Sequence, residues 1–173
     1  QPVLFLGEWC KRYSRRKVWQ SINSIVAPYH WDDRIKLFKD YNYLQKIYEE
    51  QLQELSLKLN QIHGVDHSLR YWRILIGPWL GLFIQTLFDR WFMLKEVIEQ
   101  NKVSACKILE RNSESAIPND MFHFVRNVRD DNWNEKICGQ LLEIIWGNDL
   151  HIEKIAMEID IGQKRAINFK NWK

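Results

Sequence analysis

Leu37, Tyr41, Leu44, Tyr48, Leu52, Leu55, Leu59 and Ile62 recur at spacings of three and four. Only an α-helix places residues at those intervals on one stripe, and this stripe predicts a helix of about eight turns. Glu49, Glu50, Glu54 and Lys58 fill the opposite face. Asp32-Asp33 offers carboxylates to the first turn, and Gly64 stops the helix. Tyr at two stripe positions, and one such helix in the chain, argue for a domain-spanning helix rather than a coiled coil.

A second helical stretch runs from Ser68 to Gln100, with Pro78 placed to kink or divide it. Apolar residues cover nearly all its faces from Trp72 to Phe92, which marks a helix at the centre of a core. The apolar run 74–87 is broken by Gly77, Pro78 and Gly81 and ends at Asp89-Arg90, too short and interrupted for a membrane span. Val3–Leu6 and Val103–Leu109 read as strands. The long segment between them is sufficient for a parallel crossover, so they are expected side by side. Ser14 to Val26 reads as a helix ended by Pro28. Ile117-Pro118-Asn119-Asp120 is a loop and helix start with Pro118 near the first helical position. Helices are expected at Met121–Val128 and Trp133–Trp146, then a short helix through Glu158 and an extended end.

The 173 residues suit a single domain, 1–173. A hydrophobic fraction of 46% with 27% charged residues is a soluble globular composition. A net charge of +3 is too small to argue for nucleic acid. The basic run Lys11-Arg12 and Arg15-Arg16-Lys17 reads as a solvated helix face. Three cysteines without a CxxC pair indicate neither a disulfide framework nor a zinc site, and fit a reducing, cytosolic setting. The chain opens Gln1-Pro2 rather than on Met, so a fragment of a longer protein is expected.

Polar residues gather at element ends. His63-Gly64-Val65-Asp66-His67-Ser68-Leu69-Arg70-Tyr71-Trp72-Arg73 opens the second helix. Helix N-termini suit anions, and Arg70 and Arg73, three apart, can form a forked clamp for phosphate or carboxylate. The competing assignment is an Asp66 cap with ion-paired arginines. Arg70 is expected to face ligand, and Arg73 to pair with a carboxylate such as Glu8 or Asp33. Gly64 lies between His63 and His67, so they do not form the two-histidine helix turn of a zinc site, and no metal is expected.

Leu6-Gly7-Glu8-Trp9-Cys10, Tyr29-His30-Trp31-Asp32-Asp33-Arg34 and the segment 63–80 together resemble the N-terminal part of a bacterial family of transferases encoded in surface-polysaccharide gene clusters. Asn119-Asp120 and Asp131-Asn132-Trp133-Asn134 extend the resemblance over most of the chain. It implies the N-terminal, acceptor-side domain of a longer glycosyltransferase-like enzyme. The implied fold class is a helix-rich α/β domain, a small parallel sheet covered by long helices, as in the Rossmann-like N-terminal half of a GT-B-like enzyme. Its implied partners are a sugar acceptor and a nucleotide-sugar donor, with the donor site mainly in a missing C-terminal domain. This chain would hold no cofactor, bind no nucleic acid and be inactive alone. It would lie in the cytoplasm, at the inner face of the membrane where it associates peripherally.

Within that reading Glu8, at the end of a strand, is a candidate general base for an acceptor hydroxyl, and also a candidate capping or ion-paired residue. His30, supported by Asp32 or Asp33, competes for the catalytic role. Trp9, Arg34, His67, Arg70, Arg73, Asn119, Asp120, Trp133 and Asn134 are the candidate substrate contacts, through hydrogen bonds to sugar hydroxyls and ring stacking. Capping accounts equally for the Asn and Asp residues, but not for Trp133. Glu8, His30, Asp33, His67 and Arg70 are expected to line one pocket. The rival reading is a non-catalytic helical scaffold that binds a partner protein or a membrane surface. An exposed aromatic patch along 79–91 would favour it.

Overall fold

The computed structural model describes residues 2–101, 103, 105–110 and 117–156. Strand β1 (Val3–Phe5) leads through 3₁₀ turns at Glu8–Cys10 and Tyr13–Arg15 into helix α1 (Arg16–Trp19) and strand β2 (Ser24–Val26). A 3₁₀ turn at His30–Asp32 precedes α2 (Arg34–His63), α3 (Leu69–Leu75) and α4 (Gly77–Asn101). Strand β3 (Ala105–Glu110), helices α5 (Met121–Asn127) and α6 (Asp131–Trp146), and strand β4 (His151–Ala156) follow.

The long helix is present with the ends its sequence specifies. The Asp33 carboxylate accepts from the N–H groups of Ile35 and Lys36 at 2.8 and 3.1 Å, which satisfies two of the donors a helix start leaves open. Gly64 closes α2 at φ 64°, the left-handed conformation in which a Cβ is unfavourable. Leu44, Leu52 and Ser56 form the buried line of this helix. The second helical stretch is divided where Pro78 withholds the N–H that would pair with the carbonyl of Ile74. Its segments are α3 and α4, separated at Ile76.

α4 is the central element, packed against α2, α3 and α6. One core cluster gathers Leu94, Leu142 and Leu150, with Leu6, Ile108 and Ile152 against them. A second gathers Phe124, Trp133 and Ile137 with Trp79, Phe83 and Leu87. β3 packs on α6 beside Gly139, where a Cβ would meet Ile108 at an ordinary 3.7 Å. Among the described residues, no helix is long and apolar enough to cross a membrane.

The strand pairing differs from the expected one. β1 pairs with β2 and β3 with β4, both parallel, in two separate two-stranded sheets. β1 and β3 therefore share no sheet among the described residues, and the chain is helix-rich with small parallel sheets. The helix expected over 14–26 is formed only at Arg16–Trp19. Asn23 and Ser24 favour turns, Ile25 and Val26 are β-branched, and Pro28 biases its predecessor to extended backbone, so this segment becomes β2. The helix expected after Gly147 is instead β4, where His151 and Ile152 pair with Ala105 and Cys106. Pro118 stands two residues ahead of the α5 cap, Asp120, rather than inside the helix. The extended end expected beyond Glu158 lies outside the described residues.

Candidate functional site

A charged cluster lies where the 3₁₀ turn His30–Asp32, α2, α4 and α6 meet. Its centre is Asp89, buried on the core-facing side of α4. Isolated carboxylates are not stable in such a setting, and Asp89 has three donors. Tyr29 donates its hydroxyl to Oδ1 at 2.9 Å, His30 Nε2 lies 3.0 Å from the same oxygen, and Arg90 donates to Oδ2. Arg90 also donates through Nε to Asn134 Oδ1 at 2.9 Å. The Asn134 amide returns its hydrogens to the carbonyls of Val128 and Asp130 at 2.9 and 2.8 Å, which ties α4 to the start of α6.

The other nitrogen of His30 fixes its tautomer. Lys36 Nζ is 3.3 Å from His30 Nδ1, and an ammonium has only donors. Nδ1 therefore accepts, and Nε2 carries the hydrogen donated to Asp89. Lys36 is itself paired with Asp40 and sits 3.5 Å from the centre of the Phe92 ring. Trp31 donates its indole N–H to Asp40 at 3.0 Å.

The electrostatics make this cluster an organiser rather than a proton store. Burial raises the Asp89 pKa, but the His30 hydrogen bond, the Arg90 charge and the Tyr29 hydroxyl outweigh it, and the carboxyl is held below its ordinary value. Burial, with the hydrogen bond to Asp89 and its charge, raises the Tyr29 phenol above its ordinary value. Both groups are fixed in their ordinary forms at neutral pH, and both nitrogens of His30 are occupied. His30 is thus a positioning residue, not the free base the sequence suggested, and its partner is Asp89 rather than Asp32 or Asp33. Burial pushes the Cys138 thiol up to about 11 and raises that of Cys106, so neither is an activated nucleophile.

Tyr29 carries the cluster to the surface. The Trp9 indole meets its ring edge-on, centroids 5.6 Å apart at 88°. Trp9 lies across Gly7, where any Cβ would overlap the indole ring, and is 55% exposed. Leu6-Gly7-Glu8-Trp9 therefore builds a supported aromatic shelf, and Glu8 precedes Trp9 in the same 3₁₀ turn. Glu8 is exposed and 3.4 Å from Lys11, an i,i+3 pair of little energetic weight.

The remaining candidates are dispersed. Asp33 caps α2 and Arg34 lies exposed at its first turn. His67 is beyond the far end of α2, about 45 Å away by the usual helical rise. Asn60 holds its backbone at 2.9 and 3.1 Å, and its ring stacks on Tyr71 at 4.0 Å. The expected shared pocket of Glu8, His30, Asp33, His67 and Arg70 is therefore not formed. Ser68, not Asp66, caps α3. Arg70 is exposed, whereas Arg73 forks onto Glu49 at 2.6 Å through both terminal nitrogens, so the two arginines do not make one clamp. Arg73 is an ion-pair partner as expected, but of Glu49 rather than Glu8 or Asp33.

Asp120 caps α5 by accepting from the His123 N–H at 2.7 Å, and the Asn119 N–H donates to the His123 ring at 3.1 Å. Trp133 is buried edge-on against Phe124, so it packs the core and offers no stacking face to a sugar. Asp130 caps α6 in place of Asp131 or Asn132, and Asp131 pairs with Arg12. Among the described residues no cluster of His, Cys, Asp or Glu could hold a metal ion. The residues the sequence reading missed are Asp89, Arg90, Lys36 and Asp40. Asp89-Arg90 had a visible signal: a carboxylate inside a helix apolar on every face must be paired.

The sequence model described as LIC12162 family transferase matches residues 1–173, the whole chain. The chain belongs to this family of transferases. No curated protein and no solved structure matches it. The chemistry of a transferase family is group transfer.

Proposed function

We propose that the chain provides the acceptor-binding part of a glycosyltransferase acting in surface polysaccharide assembly. The observation that carries this reading is the Trp9 shelf, exposed on one side, seated on Gly7 and edged by a Tyr29 that the buried Asp89 cluster locks in place. An indole face binds the apolar side of a sugar ring, and a neighbouring carboxylate can accept a hydroxyl proton. Glu8 takes the proton from the acceptor hydroxyl as its oxygen bonds to the anomeric carbon of a nucleotide sugar. The bond from that carbon to the nucleotide phosphate breaks, and the phosphate leaves with its electron pair. The donor is held by a further domain, and the enzyme works in the cytoplasm at the inner face of the membrane.

The aromatic patch that would favour a non-catalytic scaffold is not free. Trp79 and Phe83 stack on each other at 5.1 Å and pack on Phe124. The test is transfer from nucleotide sugars to polysaccharide acceptors by the full enzyme. Glu8→Gln should lower kcat by about 10²-fold or more, the usual contribution of a general base. Trp9→Ala should raise the acceptor KM. Wild-type kinetics in both variants would overturn the assignment.

A further inference from the structure

The stretch from Arg73 to Gln85 forms one wall of an open cleft of about 460 Å³ between α2 and α4. Gln45 and Tyr48 on α2 face Gly77, Gly81 and Gln85 on α4, with Arg73 among the lining residues. Close packing explains Gly77: a Cβ there would stand 2.5 Å from the Tyr48 hydroxyl. It does not explain Gly81, where a Cβ would meet the Tyr48 ring at 3.7 Å, an ordinary contact. Glycine is the weaker helix former, so α4 gives up stability at 81 and the cleft stays open beside the ring.

The chemistry of the lining is specific. Gln45 and Gln85 are partly buried, and among the described residues neither amide has a hydrogen-bond partner. Each offers two donors and an acceptor. Arg73 brings no free charge, because Glu49 occupies its fork at 2.6 Å on both nitrogens. An aromatic ring flanked by two unengaged amides, without uncompensated charge, suits a neutral ring carrying hydroxyl groups. A phosphate or nucleotide would require an unpaired cation here.

We propose that this cleft is a sugar subsite, in which Gln45 and Gln85 hydrogen-bond the hydroxyls of a neutral pyranose lying against Tyr48. Its place in the reaction rests on the acceptor reading above; its binding chemistry is read from the cleft alone. The experiment is a titration of the ¹⁵N-labelled chain with the methyl pyranosides of glucose, galactose and N-acetylglucosamine, and separately with inorganic phosphate. At least one pyranoside should move the side-chain amide resonances of Gln45 and Gln85 together, and phosphate should leave them unmoved. Gln85→Leu should weaken that binding by about tenfold, the loss of one or two neutral hydrogen bonds. Gly81→Leu, which fills the cleft, should abolish it while circular dichroism shows the helices retained.

Amide resonances unmoved by every pyranoside would overturn the proposal. So would displacement of the sugar by phosphate, or sugar binding unchanged in Gln85→Leu. The readout is binding, so it separates the two hypotheses. A chain that binds sugar here, while Glu8→Gln and Trp9→Ala transfer normally, keeps the subsite and loses the acceptor reading.

Discussion

Asp89 is the residue whose charge the fold has arranged itself around. Removing one partner of a buried, hydrogen-bonded pair typically costs about 3–5 kcal/mol, because the other charge is stranded. Asp89→Ala is therefore expected to lose about that much stability in urea titrations, and Asp89→Asn less. The pH dependence has a definite sign on each side. The carboxyl is held below its unfolded value, so its stabilisation is complete above roughly pH 4 and fades as pH falls through the depressed folded value. The Tyr29 phenol is raised, so its contribution is complete below roughly pH 10 and fades as pH rises further. Asp89→Asn should flatten the acid slope of stability against pH, and Tyr29→Phe the alkaline slope. Unaltered slopes would show that the cluster does not set the pH window. Little of this was legible in sequence. His30 attracted attention, but its partner is 59 positions away. Asp32 and Asp33 were nearer in sequence and chemically equivalent.

At the scale of elements, the long helices and the strands β1 and β3 were legible, whereas β2, β4 and the strand pairing were not, for a physical reason. α2 and α4 carry stripes many turns long, and local cap chemistry at Asp33, Asp120 and Gly64 fixes where helices begin and end. β2 is three residues long, and its pairing with β1 is decided across the chain, from Val3↔Ser24 to Phe5↔Val26. No local period in a segment that short distinguishes a strand from the end of a helix. The two glycines of α4 give opposite predictions. Gly81→Ala has room for its methyl group and should stabilise the chain by about 0.5–1 kcal/mol, the usual helix preference for Ala. Gly77→Ala would push its methyl into the Tyr48 hydroxyl and force that side chain aside, so it should lower the melting temperature. Equal shifts in the two melts would contradict the packing derived for Tyr48.

Across the whole molecule, burial is uneven, and that distribution decides which parts open first. Thr86, Asp89, Met93, Leu94 and Val97 line the buried side of α4, and Trp133, Ile137 and Leu142 do the same on α6. β1 and β2 contain no buried residue. Gln61, Ile62 and His63 at the end of α2 are exposed, with Ile62 74% accessible. Segments with few buried contacts open by local fluctuation, whereas those in the core exchange only when much of the domain unfolds. Amide hydrogen exchange should therefore be slowest in residues 86–97 and 133–142. It should be fastest in β1, α1, β2 and the turn around Gly64. The Trp9 shelf sits on the fast-exchanging part and is tied to the slow one through Tyr29 and Asp89. Tyr29→Phe should consequently speed exchange in the Gly7–Trp9 segment while leaving α4 protected. Early exchange in α4, or protection of the shelf unchanged in Tyr29→Phe, would mean that the buried cluster does not hold the surface site in place.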